Sequence, residues 1–238
     1  MLMPKHTWTF KARFRSRSFG WKGSGLACKR LKEAVTEIKK VAKADPITAA
    51  DGAVILMEKL WPALEGVDTS SGALGAAVGW TLTELLPIVI NAPADRKTRD
   101  QWLTRLQQAI AEDGVDYLWL VQERWGELCG SRELASHWAD EFLSLVRTAW
   151  SDPRPGTYVR QACMCLSSLL AAGRHQDLLD VLALEHYPFW PHRKFGVQAL
   201  LAEGRRDEAL AYAEGSRVLN QPHAAIDAAC EKILDHSQ

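Results

Sequence analysis

No stretch of this chain alternates β-branched and polar residues at hairpin spacing, so a sheet is not expected. An apolar leader is missing as well. Met1 to Met3 run straight into Pro4 and Lys5, and no uninterrupted apolar run reaches the roughly 18 residues of a membrane span. Cysteines are few and odd in number. Cys28, Cys129, Cys163, Cys165 and Cys230 stand scattered among apolar helical neighbours, the pattern of buried free thiols in a reducing compartment, and a cytoplasmic location is expected.

Reaction signatures are missing too. In "GWKGSGLACK", Gly20 and Gly25 have the spacing of a phosphate loop, but Leu26 and Ala27 stand where Lys and Ser or Thr would meet phosphate and magnesium. Cys163 and Cys165 lie one residue apart on a predicted helix, so their side chains diverge by about 200° and cannot share a metal. His186 and His192 flank "YPFWP" without a Cys or acidic pair at ligand spacing. Neither G-x-S-x-G nor Cys-Gly-x-Cys occurs, and the adjacent acids Asp140 with Glu141 and Glu112 with Asp113 point in different directions on a helix. No catalytic, metal or cofactor-binding residue is assigned.

What the chain has is helical grammar and tryptophan. Its 238 residues are 47% hydrophobic and include ten Trp, enough for a large core. From Leu26 onward apolar residues recur at helical spacing. Ala27, Leu31, Val35, Ile38 and Ala42 mark a first stripe, and Asp45 before Pro46 stops that helix and caps the next. Later stripes run through Leu74 to Val89, Trp102 to Ile110, a single helix over Val115–Leu128, and Leu134, Trp138, Phe142, Leu145 and Val146. The count comes to about eleven helices at an average of roughly 11 to 12 residues each.

The clearest signal is internal repetition. "SLLAAGRHQDLLDVLA" from Ser168 and "ALLAEGRRDEALAYAE" from Ala199 align without gaps at a period of 31, pairing Gly173 with Gly204, Arg174 with Arg205, and Asp177 with Glu208. Each unit reads helix, glycine turn, helix, in the manner of tetratricopeptide-like repeats. A helix pair cannot cover its own apolar face, so stacking is required.

Charge is unevenly placed. Residues 1–45 hold 12 of the 29 Lys and Arg but 3 of the 29 Asp and Glu, leaving the front nine charges positive and the remainder nine negative. From Thr7 to Arg17 the chain alternates, with Trp8, Phe10, Ala12 and Phe14 on one side and Lys11, Arg13, Arg15 and Arg17 on the other, the period of an extended segment. The arm has two readings. With Lys22, Lys29 and Arg30 its cations could grip a polyanion, with Trp21 or Phe19 stacking on bases. Alternatively its aromatics cap the first helix layer while its cations pair with the acidic body, the reading favoured by a short arm on a body that repels nucleic acid.

"KADPITAADGAVILMEKL", "VDTSSGALGAAV", "RWGELCGSRELASHWAD" and "LLAAGR" resemble a family of uncharacterised bacterial helical-repeat proteins, over essentially the whole chain. The resemblance rests on D-x-S-S-G, here Asp68, Ser70, Ser71 and Gly72, and implies fold rather than activity. It also implies further helical pairs beyond Gln238. By its residues the motif is a helix cap, with Ser or Asp oxygens accepting from the next helix's N–H groups.

The expected architecture is all-α: a superhelix of stacked antiparallel helix pairs, tetratricopeptide-like in its C-terminal half. Residues 1–25 form the extended basic arm and residues 26–238 the repeat domain, with the clearest repeats at 157–184 and 190–215. The expected function is a non-enzymatic scaffold or adaptor for a protein or peptide, with Tyr187, Phe189, Trp190, His192 and Arg193 as an exposed contact cluster or a buried plug between repeats. A nucleic-acid-associated protein is the second reading and an enzyme the third.

Overall fold

A computed structural model describes residues 6–152, 158–218 and 223–235. Every regular element among them is helical, as the hydrophobic periodicity predicts. Residue 157, where the first repeat is expected to begin, most of the "SDPRPG" break, and the end at Gln238 lie outside the described residues.

The chain divides into two compact units, one running to Arg124 and including Leu128–Gly130, the other made of Trp125–Glu127 and the chain from Ser131. The first unit begins with a 3-10 turn, Thr9–Ala12, followed by α1 (Ser24–Ala42), α2 (Pro46–Leu64), α3 (Ala73–Ile90), α4 (Arg96–Glu112) and α5 (Trp119–Glu123). Helices α1, α2 and α3 pack on one another, α4 packs on α2, and α5 on α3. Each fully buried Leu or Ile in this core, Leu31, Ile38, Leu56 and Leu60 among them, contributes about 1.5–3 kcal/mol of transfer free energy.

Helix α3 has its apolar run interrupted by Thr81, Thr83 and Glu84, in keeping with the expectation. With a mean hydropathy of 1.7 over 18 residues it is long and apolar enough to cross a membrane. In this fold Leu74, Val78, Leu82, Leu85, Leu86 and Val89 are buried in the unit, and Glu84 pairs with Lys39 of α1. Its C-terminal end is closed by Arg99, whose buried guanidinium donates to the carbonyls of Val89, Ile90, Ala92 and Leu128 at 2.5–3.2 Å. Those acceptors keep a charge tolerable at the negative end of a helix dipole. Burial pushes the neighbouring Cys129 thiol up to about 12, with Arg99 opposing it.

The arm is not extended. Backbone carbonyls of Trp8 and Phe10 accept from Lys11, Arg13 and Phe14, which curls the segment into a turn and leaves Ala12 exposed. With no strand edge among the described residues to pair with, an extended stretch would leave its own N–H groups without a protein partner. Trp8, Phe10, Phe14 and Phe19 are nonetheless buried, and the turn packs on α1 and α2. Trp8 lies directly on Gly52 of α2, where a Cβ would fall 2.1 Å from its ring. The Thr9 N–H and hydroxyl donate to the Glu37 carboxylate at 2.8 and 2.6 Å.

A second correction concerns Val115–Leu128. Here α5 is followed by a separate short helix, α6 (Trp125–Cys129), so the α-helices number twelve among the described residues. The buried Asp113 carboxylate accepts from the N–H groups of Val115 and Leu118, and Asp116 adopts φ +56°. Residues 113–118 are thereby held in a turn and helix begins only at Trp119.

The second unit holds α7 (Arg132–Trp150), α8 (Ala162–Ala171), α9 (His175–Ala183), α10 (Trp190–Ala202), α11 (Arg206–Glu214) and α12 (Ala224–Asp235). Residues Ala162–Leu169 of α8 are all buried, which makes it the central helix. Trp125, Trp138 and Phe142 form an aromatic cluster with centroids 5.3–6.1 Å apart. Leu145, predicted inside, is half exposed.

The two repeats are the pairs α8–α9 and α10–α11, and α10 packs on both helices of the preceding pair. Gly173 and Gly204 adopt φ +71° and +74°. In each repeat the following arginine's N–H reaches back five residues at 2.9 Å, Arg174 to Leu169 and Arg205 to Leu200, closing a Schellman cap. Each arginine's side chain then turns forward onto the acid three residues on, Arg174 to Asp177 at 2.8 Å and Arg205 to Glu208 at 2.7 Å.

Two outcomes test this fold. Alanine is normally about 1 kcal/mol better than glycine inside a helix. Gly52→Ala will nevertheless destabilise the protein and free the arm, read as faster tryptic cleavage at Arg13, Arg15 and Arg17. The second concerns acid. Asp45 and Asp95 cap α2 and α4 by accepting from Thr48 and Thr98, and these hydrogen bonds hold both carboxyls below the usual carboxylate range. A depressed carboxyl pKa gives stability that is present above the unfolded value near about 4 and lost as pH falls through the folded one. Replacing both residues with Asn retains the caps and will flatten the acid limb of a circular-dichroism pH titration.

Candidate functional site

Trp190, Lys194, Val197, Gln198 and Leu201 recur at three- and four-residue steps, so they share one face of α10. Ala225, Ala228, Ala229, Lys232 and Ile233 do the same on α12. These faces line a groove of about 470 Å³, which Arg206, the first residue of α11, also borders. Below the groove lies a small core of Leu200, Ala209, Ala213, Ile226 and Cys230, to which Val197 and Ile233 also belong. The walls are therefore fixed by packing, while Leu201 remains 41% exposed.

The start of α10 is anchored by a polar cluster. The Glu185 side chain, only 7% exposed, accepts from Arg193 Nε at 2.8 Å and shares a hydrogen bond with His192 Nδ1 at 2.7 Å. Arg193 also donates to the Tyr212 hydroxyl at 3.0 Å and lies over that ring. Burial raises the Tyr212 pKa, with Arg193 opposing it. Gly196 makes this approach feasible, since a Cβ there would meet the Tyr212 ring at 2.7 Å.

A carboxylate-held imidazole is the geometry of a general base. His192, however, is flanked by the Trp150 and Phe189 rings at 5.4 and 5.0 Å, and no Ser or Cys is hydrogen-bonded to it among the described residues. The arrangement packs and orients α10. No group of three His, Cys, Asp or Glu is placed to hold a metal among the described residues.

The five residues expected to form one contact cluster are thus divided. Tyr187, at 60% exposure, and Phe189 face solvent, Trp190 lines the groove, and His192 and Arg193 turn onto Glu185. Sequence reasoning missed the groove's α12 wall. Its signal was available in the small-residue stripe of "HAAIDAACEKIL", with the apolar stripe of Ile226, Cys230 and Ile233 beside it.

In the first unit, Arg13 pairs with Glu33 at 2.7 Å, Arg17 with Glu65 at 3.2 Å and Arg30 with Glu33 at 2.6 Å. Lys11, Arg15, Lys22 and Lys29 form no ion pair among the described residues. Lys11 borders a larger groove, about 940 Å³, whose walls include Trp8, Ile55, Trp102 and Asp51. Arg105 in that wall is held by Glu58 at 2.6 and 2.8 Å and by Asp51 at 2.6 Å, so it ties α4 to α2. Within D-x-S-S-G, Asp68 accepts from the Ser70 N–H at 2.9 Å, Ser71 Oγ accepts from the Ala73 N–H at 3.4 Å, and Gly72 has φ +71°.

Removing the buried acceptor measures the anchor. Glu185→Ala leaves Arg193 and His192 without their shared partner and will cost about 3–5 kcal/mol, whereas Tyr212→Phe removes one neutral acceptor and will cost about 1 kcal/mol. Urea denaturation of both variants checks the difference. Compared with protein-family models, with curated proteins and with solved structures, the chain matches none.

Proposed function

We propose that this chain is a non-catalytic helical-repeat scaffold or adaptor that binds a segment of a protein partner in the α10–α12 groove. The observation that carries the reading is the groove itself. Two helix faces separated by α11 present Trp190, Leu201, Ile233 and three alanines to an open channel instead of to each other. Stacked helix pairs characteristically place extended binding surfaces on such faces. The Glu185 anchor and the Gly196 contact hold α10 rigid, which lowers the entropic cost of receiving a ligand.

Ala228 is exposed on the groove wall, so a larger side chain can be accommodated there without disturbing the core. The immobilised full chain is expected to capture a reproducible set of proteins from its host. Ala228→Trp fills the channel and should lose them while keeping the circular-dichroism spectrum and thermal midpoint. Retention of the same proteins by a folded Ala228→Trp variant would refute the assignment.

A further inference from the structure

We propose that the exposed face of α1 is a binding surface for single-stranded nucleic acid, on which lysines hold the phosphates and Trp21 stacks on a base. The site lies in the first unit and goes beyond the scaffold reading, whose groove plays no part in it.

Helical spacing defines the surface. Lys29, Lys32, Thr36 and Lys40 follow one another at three- and four-residue steps along α1, and Lys43, its C-cap, continues the stripe. All five are exposed, while the apolar face of the same helix, Ala27, Leu31, Ala34, Val35 and Ile38, is buried. From Lys29 to Lys43 the stripe runs about 21 Å at 1.5 Å per residue.

Acids of the same helix would ordinarily answer these charges, and here they are engaged elsewhere. Glu33 takes Arg13 of the arm at 2.7 Å and Arg30 at 2.6 Å. Arg30 foremost, with Arg13 and Lys29 adding to it, holds the Glu33 carboxyl below the usual carboxylate range. Glu37 keeps its charge but turns it to the N–H and hydroxyl of Thr9, and Lys39 pairs with Glu84 of α3. Lys29, Lys32, Lys40 and Lys43 form no ion pair and no side-chain hydrogen bond among the described residues. An open groove of about 760 Å³ runs past Lys29, Lys32, Thr36 and Lys40, with Thr9, Glu33 and Glu37 also bordering it. A linear polyanion fits such a track along its lysine edge. The chain after residue 45 is nine charges negative, which repels a polyanion elsewhere and directs it to this face.

The exposed ring selects the kind of polyanion. Trp21 is 65% exposed in the turn that leads into α1, and the exposed Lys22 follows it. An open indole beside a track of cations suits a single strand, whose bases stack on the ring while its phosphates meet the lysines. A duplex keeps its base faces inside and gains nothing from that ring. Docking on an anionic lipid surface draws on an apolar helix face, and α1 has turned its own inward, with Leu26 the large apolar residue left exposed on it.

The test uses the full chain with short fluorescein-labelled oligo(U) and oligo(dT) strands and a mixed-sequence duplex, read by fluorescence anisotropy. Binding of either strand more tightly than the duplex supports the proposal, and the ratio of the two distinguishes RNA from DNA. With four lysines on phosphates, affinity should fall about fiftyfold between about 50 and about 200 mM salt. Lys29→Gln/Lys32→Gln/Lys40→Gln/Lys43→Gln should weaken binding at least about tenfold and flatten that salt dependence. Trp21→Ala should weaken it about tenfold and leave the salt dependence unchanged. Circular dichroism confirms that both variants are folded.

Absence of strand binding at low salt would overturn the proposal, and so would binding that the four Gln substitutions leave unaltered. A duplex bound as tightly as the single strands, with Trp21→Ala without effect, would overturn the single-strand assignment. Sedimentation with phosphatidylserine vesicles in the absence of strand binding would assign the face to lipid instead. Protein capture by Ala228→Trp is independent of all these outcomes, so the two readings fail separately.

Discussion

An amphipathic helix leaves a stripe of hydrocarbon that its own backbone cannot cover, and each unit of this protein is a way of covering such stripes with others. Helix α3 shows the constraint at its strongest. By composition it could lie in lipid, yet its buried face meets α1 and α2 and its one acid pairs with Lys39. In the second unit α8 takes the same position, buried over eight successive residues between neighbouring helices. Removing either helix would expose several stripes at once, so the stability of each unit is shared among its members.

Polar groups settle where those helices start and stop. Asp45, Asp95 and Ser131 accept from the first free N–H groups of α2, α4 and α7. Gly173 and Gly204 close α8 and α10 with left-handed backbone, and the arginine after each bonds both backward and forward. The Arg–acid pairing gives the repeated Arg174 with Asp177 and Arg205 with Glu208 one role: each arginine pairs with an acid in the first turn of the helix that it starts. Arg99 solves the corresponding problem at the end of α3, with a charge in place of a glycine.

The arm shows where packing takes the residues of one short segment. Trp8, Phe10, Phe14 and Phe19 are buried while Trp21 is 65% exposed, Arg13 and Arg17 sit on Glu33 and Glu65, and Trp8 occupies the space that Gly52 leaves. Its alternation suggested an extended backbone, but a short 3-10 turn buries Trp8, Phe10 and Phe14 and leaves Ala12 between them exposed. The basic front thus brings Arg13 and Arg17 to Glu33 and Glu65, while Lys11, Arg15, Lys22 and Lys29 form no ion pair among the described residues.

The sequence by itself determined that the chain is helical, where most helices begin and end, and that residues from Ser168 form repeated pairs, because caps, glycine turns and a 3.6-residue period are local signals. It also marked Trp8, Phe10 and Phe14 as a packing set. Only tertiary structure decided that Asp113 holds residues 113–118 out of a helix, that Leu145 faces outward, and that Tyr187 and His192 part company within a few residues. Most of all, it decided that one face of α10 and one face of α12 stand across a channel from each other. Periodicity tells which residues share a face of one helix, but which faces meet depends on how α11 spaces its neighbours, and that is a property of packing among segments distant in the chain.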